Sequence, residues 1–368
     1  MIKAIYNKEI LDLILRINRR KDFLKTIDLP VSFANKMRLN SQKVSSFASN
    51  RIEGNPLTFE QACEVIDSKN RHFLKPEQEI RNYFRALQFL DKCSQKKRKI
   101  DLELILELQK IVVKGESEEK IGIRGAMPPE VLFAVYDSSS HKIDYIPPYY
   151  EEINDLLDEL IKYINENDDH VLLKAAILHY QLVTIHPFED GNGRTTRLIT
   201  DYFLSINGFG FKNLGSLEEY FSYNHEEYYS SLQMNLPPLY YEGRNNPPHP
   251  EIWITYFLRM VDLYSEKVIK LAQAGDETYL KNGWFALNEK SRSFLKYLLK
   301  NTIDIYTPKE ASKLLNVTNR TIINWSSELV KSGFLKPNIV KERILSYELT
   351  DLSISNKRKI LKFELLTK

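Results

Sequence analysis

Cysteine is nearly absent from this chain of 368 residues, which has only Cys63 and Cys93. They form no Cys-x-x-Cys pattern, so a disulfide framework is excluded and packed thiols in a reducing compartment are expected. His170, His179, His225 and His249 share no ligand spacing with a cysteine or a second histidine, and read as structural or exposed rather than metal-binding. Long apolar runs are missing as well. No stretch approaches the roughly twenty residues of a membrane-spanning helix. The first nine residues, Met1 to Glu9, lack the apolar core of a signal peptide, so the cytoplasm is the expected compartment and no membrane partner is expected. Charge of one sign is also scarce. Lys+Arg 52 against Asp+Glu 49 leaves +3, too little for wholesale nucleic-acid binding. The charge is unevenly spread, however. From Ser291 onward fifteen basic residues stand against seven acidic ones, so this part carries +8 and the remainder −5. A basic tail on a slightly acidic body hints at a polyanionic partner for the tail.

What is present is an ordinary soluble composition, 43% hydrophobic and 27% charged, in a chain long enough for two or three domains. One stretch organises it: His186-Pro187-Phe188-Glu189-Asp190-Gly191-Asn192-Gly193-Arg194-Thr195-Thr196-Arg197. An apolar, helix-like segment precedes it, Val171 to Thr184, and Leu198, Tyr202 and Phe203 follow at helical spacing. The pattern predicts helix, tight loop, helix. Unpaired N–H groups at the start of the second helix, with its macrodipole, favour an anion. Gly191 and Gly193 let that backbone approach a phosphate without Cβ obstruction. Arg194 and Arg197, three apart on the opening turn, add two guanidinium forks. Asp190 is a hard oxygen ligand suited to Mg²⁺, which commonly takes one carboxylate plus substrate phosphates. His186, at the lip of the loop, is placed to take a proton from a hydroxyl near neutral pH. Together these groups point to nucleotidyl or phosphoryl transfer.

The segment resembles the signature of the Fic family (Fic/Doc superfamily), His-x-Phe-x-(Asp/Glu)-Gly-Asn-Gly-Arg-x-x-Arg, with every fixed position filled. The resemblance implies an adenylyl transferase that moves AMP from ATP to a protein hydroxyl. In that reading Asp190 holds Mg²⁺, the amides of Gly191 to Gly193 and the Asn192 side chain bind phosphates, and Arg194 and Arg197 stabilise developing charge. His186 then deprotonates the incoming Ser, Thr or Tyr. Upstream, Ser49-Asn50-Arg51-Ile52-Glu53-Gly54 resembles the family's inhibitory motif, (Ser/Thr)-x-x-x-Glu-(Gly/Asn). The resemblance implies that Glu53 pairs with the second arginine of the signature, in the space of the ATP γ-phosphate. Downstream, Tyr228 and Tyr229 match a tyrosine pair that lines the adenine pocket. Asn235 stands one residue from the family's asparagine there, which leaves nucleobase choice open.

Around these motifs the chain reads as mostly helical. Apolar residues recur at helical spacing over residues 8–27, Leu29-Pro30 breaks the pattern, and a second helix runs from Val31 to Arg51 before the Gly–Pro stop at Gly54 to Pro56. Thr58 and Gln61 form a capping-box pair. Val131 to Tyr136 and Ile143 to Ile146, separated by the turn-like Asp137 to Ser140, predict a hairpin that resembles the Fic flap, an edge for pairing with a target segment. Gly243 to Pro250 reads as a loop, Glu251 to Leu271 as an amphipathic helix, and the polar stretch after it as a hinge. In the tail, Thr307-Pro308-Lys309-Glu310 opens a short helix. A turn at Asn316-Val317-Thr318, a second helix from Asn319 to Ser332 and two strands follow. This order resembles a winged helix-turn-helix, which would set Asn319, Arg320, Thr321 and Asn324 near base edges.

The reading is therefore mainly α: a Fic-type helical core with a β-hairpin flap, plus a C-terminal winged helix-turn-helix. Its expected divisions are 1–80 for N-terminal helices including the inhibitory helix, 81–272 for the catalytic core, 273–290 for a linker, and 291–368 for the winged helix. The expected activity is AMP transfer from ATP with Mg²⁺ to a hydroxyl-bearing target protein, autoinhibited by Glu53. The alternatives are transfer of another phosphate-containing group, removal of AMP, or a DNA-binding regulator that uses the core as a nucleotide sensor. DNA and a second copy of the chain are the further partners to consider.

Overall fold

The computed structural model describes every residue except 28, 71, 129, 132, 137–142, 238–246, 341–342 and 364–368. Leu132, the hairpin turn at Asp137 to Ser140, and the first half of the loop expected over Gly243 to Pro250 thus lie outside the described residues. The chain divides into two compact units, residues 1–24 with 34–269, and residues 25–33 with 270–368. The N-terminal helices and the catalytic core, expected as separate blocks, share the first unit.

The first unit holds ten helices used below: α1 (Lys8–Lys25), α2 (Val31–Ile52), α3 (Phe59–Asp67), α4 (Lys75–Gln95), α5 (Leu102–Val112), α6 (Ile153–Glu166), α7 (Val171–Ile185), α8 (Asn192–Ile206), α9 (Glu218–Tyr223) and α10 (His225–Gln233). Helix α7 is its axis. Apolar residues surround it on all sides, and Leu172, Leu173, Ile177 and Leu178 are fully buried. A helix hydrophobic all round belongs in a core. It packs against α6 and α8, while α4 and α5 pack against the other flank of α8. The indole of Trp253 closes the core by donating to the Ala176 carbonyl at 2.7 Å. At α3 the Thr58 and Gln61 side chains make the reciprocal capping box.

The hairpin forms from β1 (Val135–Tyr136) and β2 (Ile143–Tyr145), antiparallel, with Val135 opposite Tyr145 and Tyr136 opposite Ile143. Its base is fixed by the buried Tyr145 hydroxyl, which donates to the Thr184 carbonyl near the end of α7. The strands therefore start beside the loop that follows α7.

The second unit has its own core, built on Trp284, Phe294, Leu298, Ile322, Phe334 and Tyr347. Its helices Glu289–Lys300, Pro308–Leu315 and Asn319–Lys331 pack with three strands: β3 (Ile305–Tyr306), β4 (Leu335–Val340) and β5 (Arg343–Leu349). The sheet order is β3-β5-β4, antiparallel throughout. Thr307 and Glu310 make a capping box around Pro308, and Asn316 in the left-handed region (φ 52°) ends that helix. One expectation is corrected. Residues 273–290, read as a linker, are helical as far as Ala286, within the helix Pro250–Ala286. Polarity alone marks a solvated face. With no proline between Pro250 and Pro308 and good helix formers such as Ala, Leu and Lys, nothing stops the helix there.

Candidate active site

The loop between α7 and α8 is fixed before any ligand arrives. His186 caps α7 in the left-handed region (φ 49°, ψ 58°), its N–H reaching the Leu182 carbonyl at 3.2 Å. A non-glycine residue there costs about 1–2 kcal/mol, so neighbouring contacts must hold it. Arg124 supplies them. Its Nε donates to the His186 carbonyl at 2.9 Å, its backbone N–H donates to the Pro187 carbonyl at 2.9 Å, and its guanidinium also donates to the Pro148 carbonyl. The same guanidinium lies 4.6 Å from the Phe133 ring centre. From α5, the buried Gln109 amide donates to the carbonyls of Lys120 (2.8 Å) and Asp190 (3.2 Å).

Asn192 clamps the turn from inside. Its Nδ2 donates to the Phe188 carbonyl at 2.8 Å, and its Oδ1 accepts from the Phe188 N–H at 3.0 Å. Both its polar atoms thus brace the backbone of the turn. Gly191 is demanded twice. It sits at φ 83°, and an added Cβ would press on Val113 Cγ1 at 2.9 Å and Val112 Cγ1 at 3.2 Å.

The His186 ring is oriented by Nδ1, 3.2 Å from the Val183 carbonyl. A carbonyl only accepts, so Nδ1 carries the proton and Nε2 keeps its lone pair. Burial pushes the imidazole pKa down to about 4; the Val183 hydrogen bond opposes this and the Arg124 charge adds to it. Near neutral pH the ring is therefore an unprotonated base.

Arg194 and Arg197 share the first turn of α8 but serve different partners. Arg194 pairs with Asp190 Oδ1 at 2.8 Å, one turn back, and its buried Nε has no hydrogen-bond partner among the described residues. Asp190 Oδ1 also accepts from the Gly191 N–H at 2.6 Å, while Oδ2 faces Lys120 Nζ at 4.0 Å. Among the described residues no group of three His, Cys, Asp or Glu could hold a metal ion by itself. A lone carboxylate at the rim of an anion-binding turn fits Mg²⁺, which fills its shell with phosphates and water.

Arg197 is buried to 1% side-chain exposure and is held by α2. Its Nε donates to Ser49 Oγ at 2.8 Å, and its Nη2 donates to the Ser49 carbonyl at 3.0 Å and to Glu53 Oε1 at 2.6 Å. The end of α2 explains why those groups are available. Gly54 takes φ 81°, its N–H bonds the Arg51 carbonyl at 3.0 Å, and the Asn55 N–H bonds the Asn50 carbonyl at 3.0 Å. This is a Schellman cap, with glycine at the position that favours the left-handed region. The Glu53 N–H turns to Asn50, so the Ser49 carbonyl is left for Arg197. A guanidinium thus satisfies an orphan carbonyl at the negative end of the helix.

Glu53, at the cap, lies against the opening turn of α8, and a side chain on Gly193 would collide with its carboxylate. Burial works against ionisation of Glu53, but the facing Arg197 and Arg194 charges and the Arg197 hydrogen bond prevail, so its pKa falls below the ordinary value. Burial likewise disfavours the Arg197 charge, and Glu53 more than restores it.

Glu53, Arg197, Gly193, His186, Tyr228 and Tyr229 line one recess with residues of the hairpin, of about 120 Å³. An ordinary ligand pocket holds roughly 300 Å³ or more, so this recess is small, with Glu53 in its wall. Tyr228 is buried and meets His179 Nε2 at 2.9 Å, whereas Tyr229 is 40% exposed. Asn235 does not line the recess. In the second unit, Asn319, Arg320 and Asn324 are exposed and Thr321 is half-buried, all on the helix Asn319–Lys331.

Reading the sequence overlooked Arg124 and Gln109. Arg124 had one local sign, a lone arginine between Gly122 and Gly125. Gln109 had none, because an amide in an apolar helix declares no partner.

Part of this chain is similar to known proteins. Residues 99–204 match the model of the Fic/DOC family. The protein adenylyltransferase Fic of Nematostella vectensis is 28% identical over 171 residues, covering 44% of this chain and 37% of the relative. This chain thus spans well under half the length of that curated relative. Among solved structures, a Fic family protein from Desulfovibrio desulfuricans G20 superposes with TM-score 0.61 at 17% identity, covering 95% of this chain and 98% of the other. Fic-1 of C. elegans (residues 134–508) gives 0.55 at 21% identity, covering 73% of each chain. These similarities establish the fold.

Proposed function

We propose that this chain, which carries a Fic/DOC domain over residues 99–204, transfers AMP from ATP to a serine, threonine or tyrosine hydroxyl of a protein, and that Glu53 holds it blocked. The observation that carries this is the Glu53 carboxylate lodged at the opening turn of α8, against Gly193 and Arg197. A carboxylate there stands in for a phosphate oxygen at a helix N-terminus.

In the reaction, His186 Nε2 takes the proton of the incoming hydroxyl, whose oxygen bonds to the α-phosphorus as the bond to pyrophosphate breaks. The free amides at the start of α8, with Arg194 and Arg197, hold the phosphate oxygens whose charge grows. Asp190 would hold Mg²⁺, which neutralises phosphate charge when bound. Tyr229, on the rim of the recess, is placed for a nucleobase face, and Tyr228 supports it from beneath. The hairpin edge offers backbone groups to an extended target segment.

Three further readings belong with this one. The cytoplasm remains the expected compartment, and among the described residues no helix is long and apolar enough to cross a membrane. The second unit is read as a winged helix, with DNA as its candidate partner. Its basic balance and the exposed Asn319, Arg320 and Asn324 favour that. Self-association is a separate question for solution measurement.

The test uses Glu53→Gly in a cell lysate with ATP labelled at the α- or the γ-phosphate. Label that passes to protein only when the chain is added, taken against the same lysate without it, should come from the α-position alone. Transfer from the γ-position would make the chain a phosphotransferase and overturn the proposal.

A further inference from the structure

Helix α2 is fastened to the first unit by a row of hydroxyls. Ser41, Ser45 and Ser49, four residues apart, fall on one face, and all three are buried. Ser41 donates to the Gly215 carbonyl at 2.5 Å, Ser45 donates to Glu218 Oε2 at 2.9 Å, and Ser49 accepts from Arg197. The middle contact stands apart, because Glu218 is a carboxylate only 2% exposed. Among the described residues it has no ion pair, and three hydroxyls converge on it. Ser45 and Ser216 share Oε2 at 2.9 Å each, and the buried Tyr83 phenol donates to Oε1 at 2.9 Å. One turn on from Ser45, Ser49 holds Arg197, so the hydroxyl row of α2 lies between the start of α9 and the second arginine of the signature.

We propose that Glu218 is a positioning residue that anchors the inhibitory helix: through its hydrogen bond with Ser45 it holds α2 in the pose that presents Glu53 to Arg197. The inference rests on the blocked-state reading above and adds a residue outside both sequence motifs. Its physical basis is the buried hydrogen bond that is lost when α2 leaves. One such bond is worth enough to shift an equilibrium roughly tenfold, and Ser45 is the hydroxyl that α2 itself brings to Glu218. When α2 leaves, Ser45 re-bonds to water, while Glu218 keeps Tyr83 and Ser216. The carboxylate therefore remains satisfied in the open state, as a reusable latch requires.

The test compares Ser45→Ala and Glu218→Gln, each alone and combined with Glu53→Gly. With Glu53 present, either change should raise transfer about tenfold. In the Glu53→Gly background neither should raise it further, since the block is already gone. A merely structural role for Glu218 would lower or leave unchanged the rate in both backgrounds, and that result would overturn the proposal. Ser45→Thr, which keeps the hydroxyl, should behave as wild type. Hydrogen exchange gives a readout that needs no activity. Both variants should lose about tenfold protection in the amides of residues 41–53 while α7 is unchanged. Unaltered protection in α2 for the folded Ser45→Ala protein would refute the anchor even if no target is ever modified. An inactive Glu53→Gly protein with loosened α2 in the Ser45 variant would instead fault the functional reading alone.

Discussion

Helices α7 and α2 both lie against the loop that carries His186 and Arg197, and they are held by opposite means. The buried residues of α7 are mainly Leu, Ile and Ala, and it is covered on every side. Those of α2 include Ser41, Ser45, Ser46, Ser49 and Asn50, with only Ala34, Ala48 and Ile52 apolar. Apolar burial gains roughly 25 cal/mol per Å² and is lost wholesale when the helix leaves. A hydroxyl contact contributes about 0.5–1.5 kcal/mol net, because water replaces the partner. The difference separates a helix that makes the fold from one that can leave a formed fold. Under the proposed function, regulation belongs to α2 and permanence to α7.

The sharpest contrast comes from His186, which the permanent helix presents. In the Glu53→Gly background, His186→Ala should cut transfer by roughly 10²–10⁴-fold while ATP binding survives, read by single-turnover labelling and equilibrium titration. Parallel loss of ATP affinity would make the ring a structural cap. Next in size is the pair Leu178→Ala on α7 and Ser41→Ala on α2. The first should cost about 2–5 kcal/mol of global stability, and the second no more than about 1.5 kcal/mol, by denaturant unfolding. Equal costs would erase the distinction between the two helices. Smallest is Gly54→Ala. Nothing lies within 4 Å of the added Cβ, so only the left-handed backbone strain of about 1–2 kcal/mol acts, on the cap that aims Glu53. Transfer should rise about five- to thirtyfold with the fold intact. No rise would show that the cap does not set the block.

How much of this was legible follows from range. The anion-binding turn is spelled locally: Gly191 and Gly193 free the backbone, and Asp190 meets Arg194 one helical turn on. The stop of α2 was equally local, written in Glu53-Gly54-Asn55-Pro56. The meeting of Glu53 with Arg197 joins residues 144 apart, and only the family resemblance, not spacing, suggested it. Asn192 reads as a phosphate ligand by type, and its bonds to the Phe188 backbone do not show in the sequence. Glu218, Tyr83 and Gln109 gave no sign at all, since a buried polar residue is recognisable only once its partners are in place. The polar stretch after Leu271 misled in the other direction, because solvation was taken for a break in the chain.

The central claim is that a single carboxylate on a detachable helix keeps a complete site shut, and the most direct test measures transfer from ATP by wild type and Glu53→Gly side by side. A hundredfold block needs only about 2.7 kcal/mol of bias toward the closed state. Removing the partner of the buried Arg197 also costs stability, so unfolding is followed in parallel with ATP–Mg²⁺ added, whose phosphates should re-pair Arg197 and restore the melting temperature. The expected result is transfer on the order of a hundredfold faster in Glu53→Gly, with no new catalytic group. A folded, ATP-bound Glu53→Gly protein that transfers no faster than wild type would contradict the account.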